Sequence, residues 1–178
     1  MLIETVETET RPMLYVTRTS GMGPQAIADA MAGAFAAMGA FLQATGIKPA
    51  GPPLALYHDR NLATGTISVD VGFPVSARAT TKAAGAVHAG QTPSGRALKA
   101  IHHGAYATMP RCYDCIAAHM EKLGLGVPSV SWEIYLNDPR TTPEAWAPGN
   151  PPGQNPGRAG RARRARCWWR HRRRSRPR

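Results

Sequence analysis

The residues of this chain with the chemistry for a functional site are a carboxylate next to tyrosine, a pair of cysteines and a pair of histidines. Glu133 stands between Trp132 and Ile134 and is followed by Tyr135. In a strand, Glu133 and Tyr135 share one face and Trp132 lies on the other. A carboxylate beside a phenol ring suits an organic cation, whose contact with the ring contributes about 0.5–2 kcal/mol. The alternative is that Glu133 is a solvated residue on a half-exposed sheet.

Cysteine and histidine spacing argues against a metal site. Cys112 and Cys115 lie three residues apart on a predicted helix, and a structural zinc site needs four ligands, usually in two spaced pairs. No second pair of cysteines exists in the sequence. His102 and His103 are neighbours on a predicted strand, so their side chains point apart. We therefore expect no metal and no cofactor.

The net charge of +11 has a local origin. Residues 158–178 contain eleven arginines and no acid, and the eleven other basic residues are balanced by the eleven Asp and Glu of residues 1–157. Nucleic acid binding is thus expected only through the arginine-rich segment, by phosphate contacts. Any arginine-rich segment makes such contacts in vitro without a biological role, and we favour this second interpretation.

Targeting signals are not recognisable in the sequence. The N-terminus, Met1-Leu2-Ile3-Glu4, lacks the basic and apolar regions of a signal peptide, and no apolar run is expected to reach the ~18 residues of a membrane span. Three cysteines do not form an even disulfide framework. These features predict a cytoplasmic protein without a membrane partner.

Periodicity predicts an α+β fold in which a strand–helix–strand–strand unit occurs twice. The predicted elements of the first unit are Pro12–Thr19, a helix from Pro24 to Gly46, Leu54–His58 and Thr66–Val75; those of the second are Gly95–His103, a helix from Thr108 to Gly124, and Val130–Leu136.

The second unit lacks a recognisable closing strand at the expected position. It should lie near residues 144–153, where three prolines fall within five positions, and proline cannot donate to a ladder. We predict that the last strand is missing or replaced, that residues 1–146 form the domain, and that residues 147–178 are a disordered Pro/Gly/Arg-rich tail. A shifted reading frame near residue 147 would produce such a tail; sequencing the locus tests this hypothesis.

Four segments in order resemble the gyrase-inhibitor-like superfamily, which also provides the effector-binding domains of AraC-type regulators. They are Asp70–Val75, Pro93-Ser94-Gly95-Arg96, His103-Gly104-Ala105-Tyr106 and Trp132–Pro139. The resemblance implies two pseudo-twofold β-α-β-β units that form a groove for lipophilic, often cationic, organic molecules. It also implies that Glu133 neutralises the cation.

Candidate ligand-binding residues follow from this resemblance and from the strand pattern. Tyr57 gains weight as the repeat mate of Tyr135, and Tyr106 and Phe73 are candidates for the groove wall. The full set is Glu133, Tyr135, Trp132, Tyr106, Tyr57 and Phe73. For Tyr106 and Phe73 the alternative is an ordinary role in the core.

Non-covalent capture of a small organic ligand is the leading functional interpretation, either for drug sequestration or as the sensing part of a transcription regulator. Because we recognise no helix-turn-helix in the chain, the second role implies a separate regulator protein as partner. One alternative is hydrolysis of reactive small molecules in the same groove, with Glu133 as general base. No nucleophile–base–orienter set accompanies Glu133, so an enzyme is the weaker interpretation. Another alternative is inhibition of gyrase or another protein.

Overall fold

One antiparallel sheet of eight strands dominates the fold. The computed structural model describes residues 1–103, 108–126, 128 and 130–136, and the backbone of residues 164–170. The strands are β1 (Ile3–Thr8), β2 (Pro12–Gly21), β3 (Leu54–Asn61), β4 (Thr66–Pro74), β5 (His88–Gln91), β6 (Gly95–His103), β7 (Val130–Tyr135) and β8 (Arg164–Arg170). The helices are α1 (Pro24–Thr45), α2 (Ala77–Thr80) and α3 (Met109–Lys122).

The two strand–helix–strand–strand units are placed side by side in the sheet. The strand order is β1-β6-β8-β7-β3-β4-β2-β5. The first unit is β2-α1-β3-β4 and the second is β6-α3-β7-β8. Their β3 and β7 strands pair at the centre, with Ala55 opposite Glu133. The predicted α+β class is confirmed, and the side chains of both units meet at the β3–β7 pair.

Strand β8 lies inside the segment that the sequence predicts to be disordered. Its backbone pairs with β6 on one side and with β7 on the other. The prediction of disorder for residues 147–178 is therefore wrong for Arg164–Arg170. A strand between β6 and β7 can form backbone hydrogen bonds with both, and tryptophans such as Trp168 and Trp169 favour extended structure. The last strand is replaced rather than missing, while residues 144–153 lie outside the described residues.

Helix α1 covers one half of the sheet. Pro24 begins it, where a missing N–H costs least, and Gly46 ends it in the left-handed conformation at φ 66°. Ala34 and Met38 are buried against β2 and β4. With 22 residues and a mean hydropathy of 1.4 in an 18-residue window, α1 is long and apolar enough to span a membrane. This finding corrects the expectation that no run approaches that length, although the helix packs here on the sheet.

Helix α3 covers the other half of the same face. Its buried residues Met109, Cys112, Ile116 and Met120 recur at helical spacing and pack against Leu98 and Ala100 of β6 and each other. Thr108 stands at the predicted N-cap position, but its side chain does not cap the helix. Its Oγ1 lies 3.3 Å from Nε2 of His102 instead. The hydroxyl therefore joins α3 to β6.

Gly72 of β4 permits the close approach of β2. A Cβ at this position would lie 2.2 Å from the Leu14 carbonyl oxygen and 2.7 Å from Cβ of Tyr15. We expect Gly72→Ala to lower the free energy of unfolding by about 2–3 kcal/mol, because the backbone of a central strand has to shift. Gly33→Ala on α1 is the matched control, since nothing lies within 4 Å of its Cβ. Urea unfolding that finds the two variants equally stable would contradict this assignment.

Truncation tests the place of β8. Because β8 separates β6 from β7, a chain ending at residue 157 loses two backbone ladders in the sheet interior. We expect it to lose cooperative thermal unfolding or to melt at a much lower temperature. A chain ending at residue 170 keeps β8 and should melt like the full protein. Identical melting of the 1–157 chain and the full chain would show that β8 contributes nothing.

Candidate ligand-binding site

The site is built around the carboxylate of Glu133, which is only 5% exposed. Strand β7 carries it on the sheet face that α1 and α3 cover. Its register partner Ala55 belongs to the apolar core beneath α1, and Trp132 and Ile134 pack in a different apolar cluster on the other face. A carboxylate in this position loses its hydration and needs partners from the protein.

Three tyrosines supply those partners from three different elements. Tyr113 of α3 donates a hydrogen bond to Oε1 of Glu133. Tyr135 of β7 donates to Oε2 at 2.5 Å, and Tyr57 of β3 is 3.3 Å from the same oxygen. Both units therefore contribute a phenol to one carboxylate.

Helix α1 closes the other side of the site with a thioether and a phenyl ring. The Tyr57 hydroxyl lies 3.2 Å from Sδ of Met31, and the Tyr135 hydroxyl lies 4.0 Å from it. Phe35 packs edge-on against Tyr135, with ring centroids 5.6 Å apart and an interplanar angle of 79°. The surroundings of Glu133 are thus aromatic and polarisable, which suits contact with a large organic cation.

Burial has the largest effect on the protonation of this cluster. It raises the pKa of Glu133 above the ordinary value of 4.5. The three phenol hydrogen bonds and the charge of His102 act in the opposite direction, but they do not outweigh burial. The pKa of Tyr135 is raised well above 10.0 by burial and by the neighbouring carboxylate. Tyr135 is therefore a neutral donor at physiological pH.

Of the six residues predicted to bind ligand, the structure brings three together: Glu133, Tyr135 and Tyr57. Trp132 lies on the opposite face, 4% exposed among Met13, Leu54, Leu56 and Ala97. Trp132 therefore does not join the cluster around Glu133, because neighbours on a strand point apart. Phe73 packs on the core beneath α1. Tyr106 lies outside the described residues.

Sequence reasoning missed Tyr113, Met31 and Phe35. Their helical spacing identifies them as part of the apolar stripes of α3 and α1, which is correct but incomplete. The repeat contained a further signal: Phe35 and Tyr113 lie about 78 residues apart in the sequence, as do Tyr57 and Tyr135. The aromatic residues around Glu133 thus include two pairs with the sequence separation of the predicted repeat.

The two cysteines and two histidines singled out in the sequence differ in exposure. Cys112 is buried and Cys115 exposed, while His102 is buried and His103 exposed. Within the part of the chain that the structure describes, no three His, Cys, Asp or Glu side chains are grouped so that they could hold a metal ion.

Comparison with known proteins identifies the family. The sequence matches the family described as "GyrI-like small molecule binding domain" over residues 1–147. The chain belongs to the GyrI-like family. It therefore contains a small-molecule-binding domain of this type, as the resemblance implied. A search of curated proteins finds no match.

Solved structures of low sequence identity share the fold of this GyrI-like chain. The C-terminal domain of EcmrR is 13% identical with a TM-score of 0.73, and the match covers 96% of this chain and 97% of that domain. SAV2435 bound to tetraphenylphosphonium is 12% identical with a TM-score of 0.63, covering 97% and 94%. In a cryo-EM complex of EcmrR with DNA, the match has 13% identity, a TM-score of 0.71 and 94% coverage of this chain. The chain spans only 56% of that EcmrR subunit.

The raised pKa of Glu133 predicts how stability depends on pH. Near the unfolded value of 4.5 the carboxyl is protonated in the folded state, and its stabilising contribution is present. As the pH rises through the higher folded pKa, that contribution is lost because a charge must be buried. The native protein should therefore lose stability relative to Glu133→Gln as the pH rises above about 4.5 and through the raised folded pKa. Urea unfolding of both proteins at each pH measures the difference; parallel curves would contradict it.

Proposed function

We propose that the GyrI-like domain binds lipophilic organic cations, with Glu133 as the countercharge and the tyrosine rings as the surrounding walls. The observation that carries the proposal is a buried carboxylate bonded by three phenols and flanked by Met31 and Phe35. A charge in this low-dielectric position interacts with a cation more strongly than a charge in water does. The surrounding rings favour a cation whose charge is spread over an apolar body. The tetraphenylphosphonium bound to the structurally similar SAV2435 has this chemistry.

Ligand access requires a side chain to move, because Glu133 is 5% exposed. Tyr135 is also buried, whereas Tyr57 and Tyr113 are half-buried. We infer that a ligand approaches past these two rings and replaces one or more phenol hydrogen bonds with its own charge. The lost hydrogen bonds reduce the net affinity, so the proposed site selects ligands with large apolar area over small hydrated cations.

Binding without chemistry fits a protein that captures cations in the cytoplasm or reports them to a separate regulator. EcmrR, whose C-terminal domain shares this fold, has been observed in complex with DNA. For this chain the regulator is a proposed partner, and a cation that moves Tyr57 or Tyr113 would provide the signal.

Titration of the full chain with tetraphenylphosphonium by calorimetry tests the proposal. We expect Glu133→Gln to weaken binding about tenfold or more, because the cation loses its buried countercharge. Glu121→Gln, which removes an exposed carboxylate of α3, is the matched control and should bind normally. Affinity should also fall at low pH, as Glu133 becomes protonated below its raised pKa.

Tetraphenylborate, with similar shape and opposite charge, separates the carboxylate from general hydrophobic binding. If the Glu133→Gln and Glu121→Gln variants bind tetraphenylphosphonium equally well, the proposed role of Glu133 is wrong. If tetraphenylborate binds the native chain and both variants as tightly as tetraphenylphosphonium binds the native chain, the site recognises the shape of the ligand and not its charge. This result would also contradict the proposal.

A further inference from the structure

A concave surface separate from the Glu133 site lies where β1, β6 and the first turns of α3 meet. It is a cleft of about 620 Å³. Leu2 and Ile101 supply an apolar wall, and Lys99, His103 and Arg111 supply basic groups. Neither Glu133 nor the tyrosines around it line this cleft.

The charge of the cleft is opposite to that of the Glu133 site. Among the described residues that line it, Glu4 is the only acid, and its carboxylate pairs with Lys99. Arg111 is exposed, and no ion pair joins it to any other residue that the structure describes. His103 is also exposed. Among the residues that the structure describes, Arg111 therefore lines the cleft without an ion-pair partner.

We propose that this cleft binds small amphipathic organic anions, with Arg111 holding the acidic group and the apolar wall holding the carbon skeleton. A guanidinium presents paired N–H donors that match the two oxygens of a carboxylate. Leu2 is 73% exposed, so covering it with an apolar ligand removes hydrocarbon surface from water. Every ligand of this class carries one negative group on an aromatic or aliphatic skeleton.

The anion site and the cation site are neighbours. His102, whose charge acts on Glu133, also lines the cleft. On α3, Cys112 also lines the cleft, and the next residue, Tyr113, bonds to the carboxylate of Glu133. The anion proposal goes beyond the proposed cation binding and does not depend on it, since no residue of the tyrosine cluster takes part.

Calorimetric titration of the full chain with 1-naphthoate tests the cleft. The arginines of residues 158–178 add a general attraction for anions, so the decisive comparison is between variants that all retain them. We expect Arg111→Gln to weaken binding about tenfold, in line with loss of a charge-assisted hydrogen-bond pair. Arg60→Gln removes an exposed arginine of β3 and should bind like the native chain.

Two further variants keep the result interpretable if Arg111→Gln is less stable. Arg111→Lys retains the charge and should preserve part of the affinity, whereas Arg111→Glu should abolish binding. Glu133→Gln should bind 1-naphthoate normally, even if it no longer binds tetraphenylphosphonium. If Arg111→Gln and Arg60→Gln bind equally, the anion is held elsewhere and the assignment of the cleft is wrong. Loss of 1-naphthoate binding in Glu133→Gln would likewise contradict two separate sites.

Discussion

The carboxylate of Glu133 must be removed from water and still have its oxygens hydrogen-bonded, and the arrangement of both halves of the sheet is consistent with this requirement. A buried charge without partners costs several kcal/mol. Here the partners come from β3, from α3 and from β7 itself, so the pairing of β3 with β7 and the packing of α3 both position phenols around the carboxylate. Burial still raises the pKa of Glu133. The site therefore combines incomplete stabilisation of an anion with an aromatic wall, the two features on which the proposed cation binding rests.

The site is not symmetric, although the two halves of the sheet contain their elements in the same order. Phe35 on α1 and Tyr113 on α3 are 78 residues apart in the sequence, as are Tyr57 on β3 and Tyr135 on β7. Across the central strand pair, however, Glu133 faces Ala55. Of these two paired positions only Glu133 carries a carboxyl group, so the two halves of the site differ chemically at its centre.

How much could be predicted depended on the length and regularity of each element. The two long helices and the strands of both units were identified because their periodicity is strong, whereas β1 and β5 were missed. Strand alternation correctly grouped Glu133 with Tyr135, but it also argues against Trp132, which the resemblance had included. Tyr113 escaped notice because a tyrosine at a helix core position has the same spacing as a leucine there. Strand β8 was missed because the composition of its surroundings favours disorder, and only a gap in the sheet selects its extended form.

The position of β8 in the sheet has a consequence for biosynthesis. It is the last of the described strands in chain order, yet it is inserted between β6 and β7. Translation therefore delivers β6 and β7 long before the strand that separates them, and each has an open edge during that interval. Contacts between residues so distant in sequence form slowly, and open edges associate with other chains. Codon usage and chaperone capture late in translation would thus influence the yield of folded protein more than changes in the early β2-α1-β3-β4 unit.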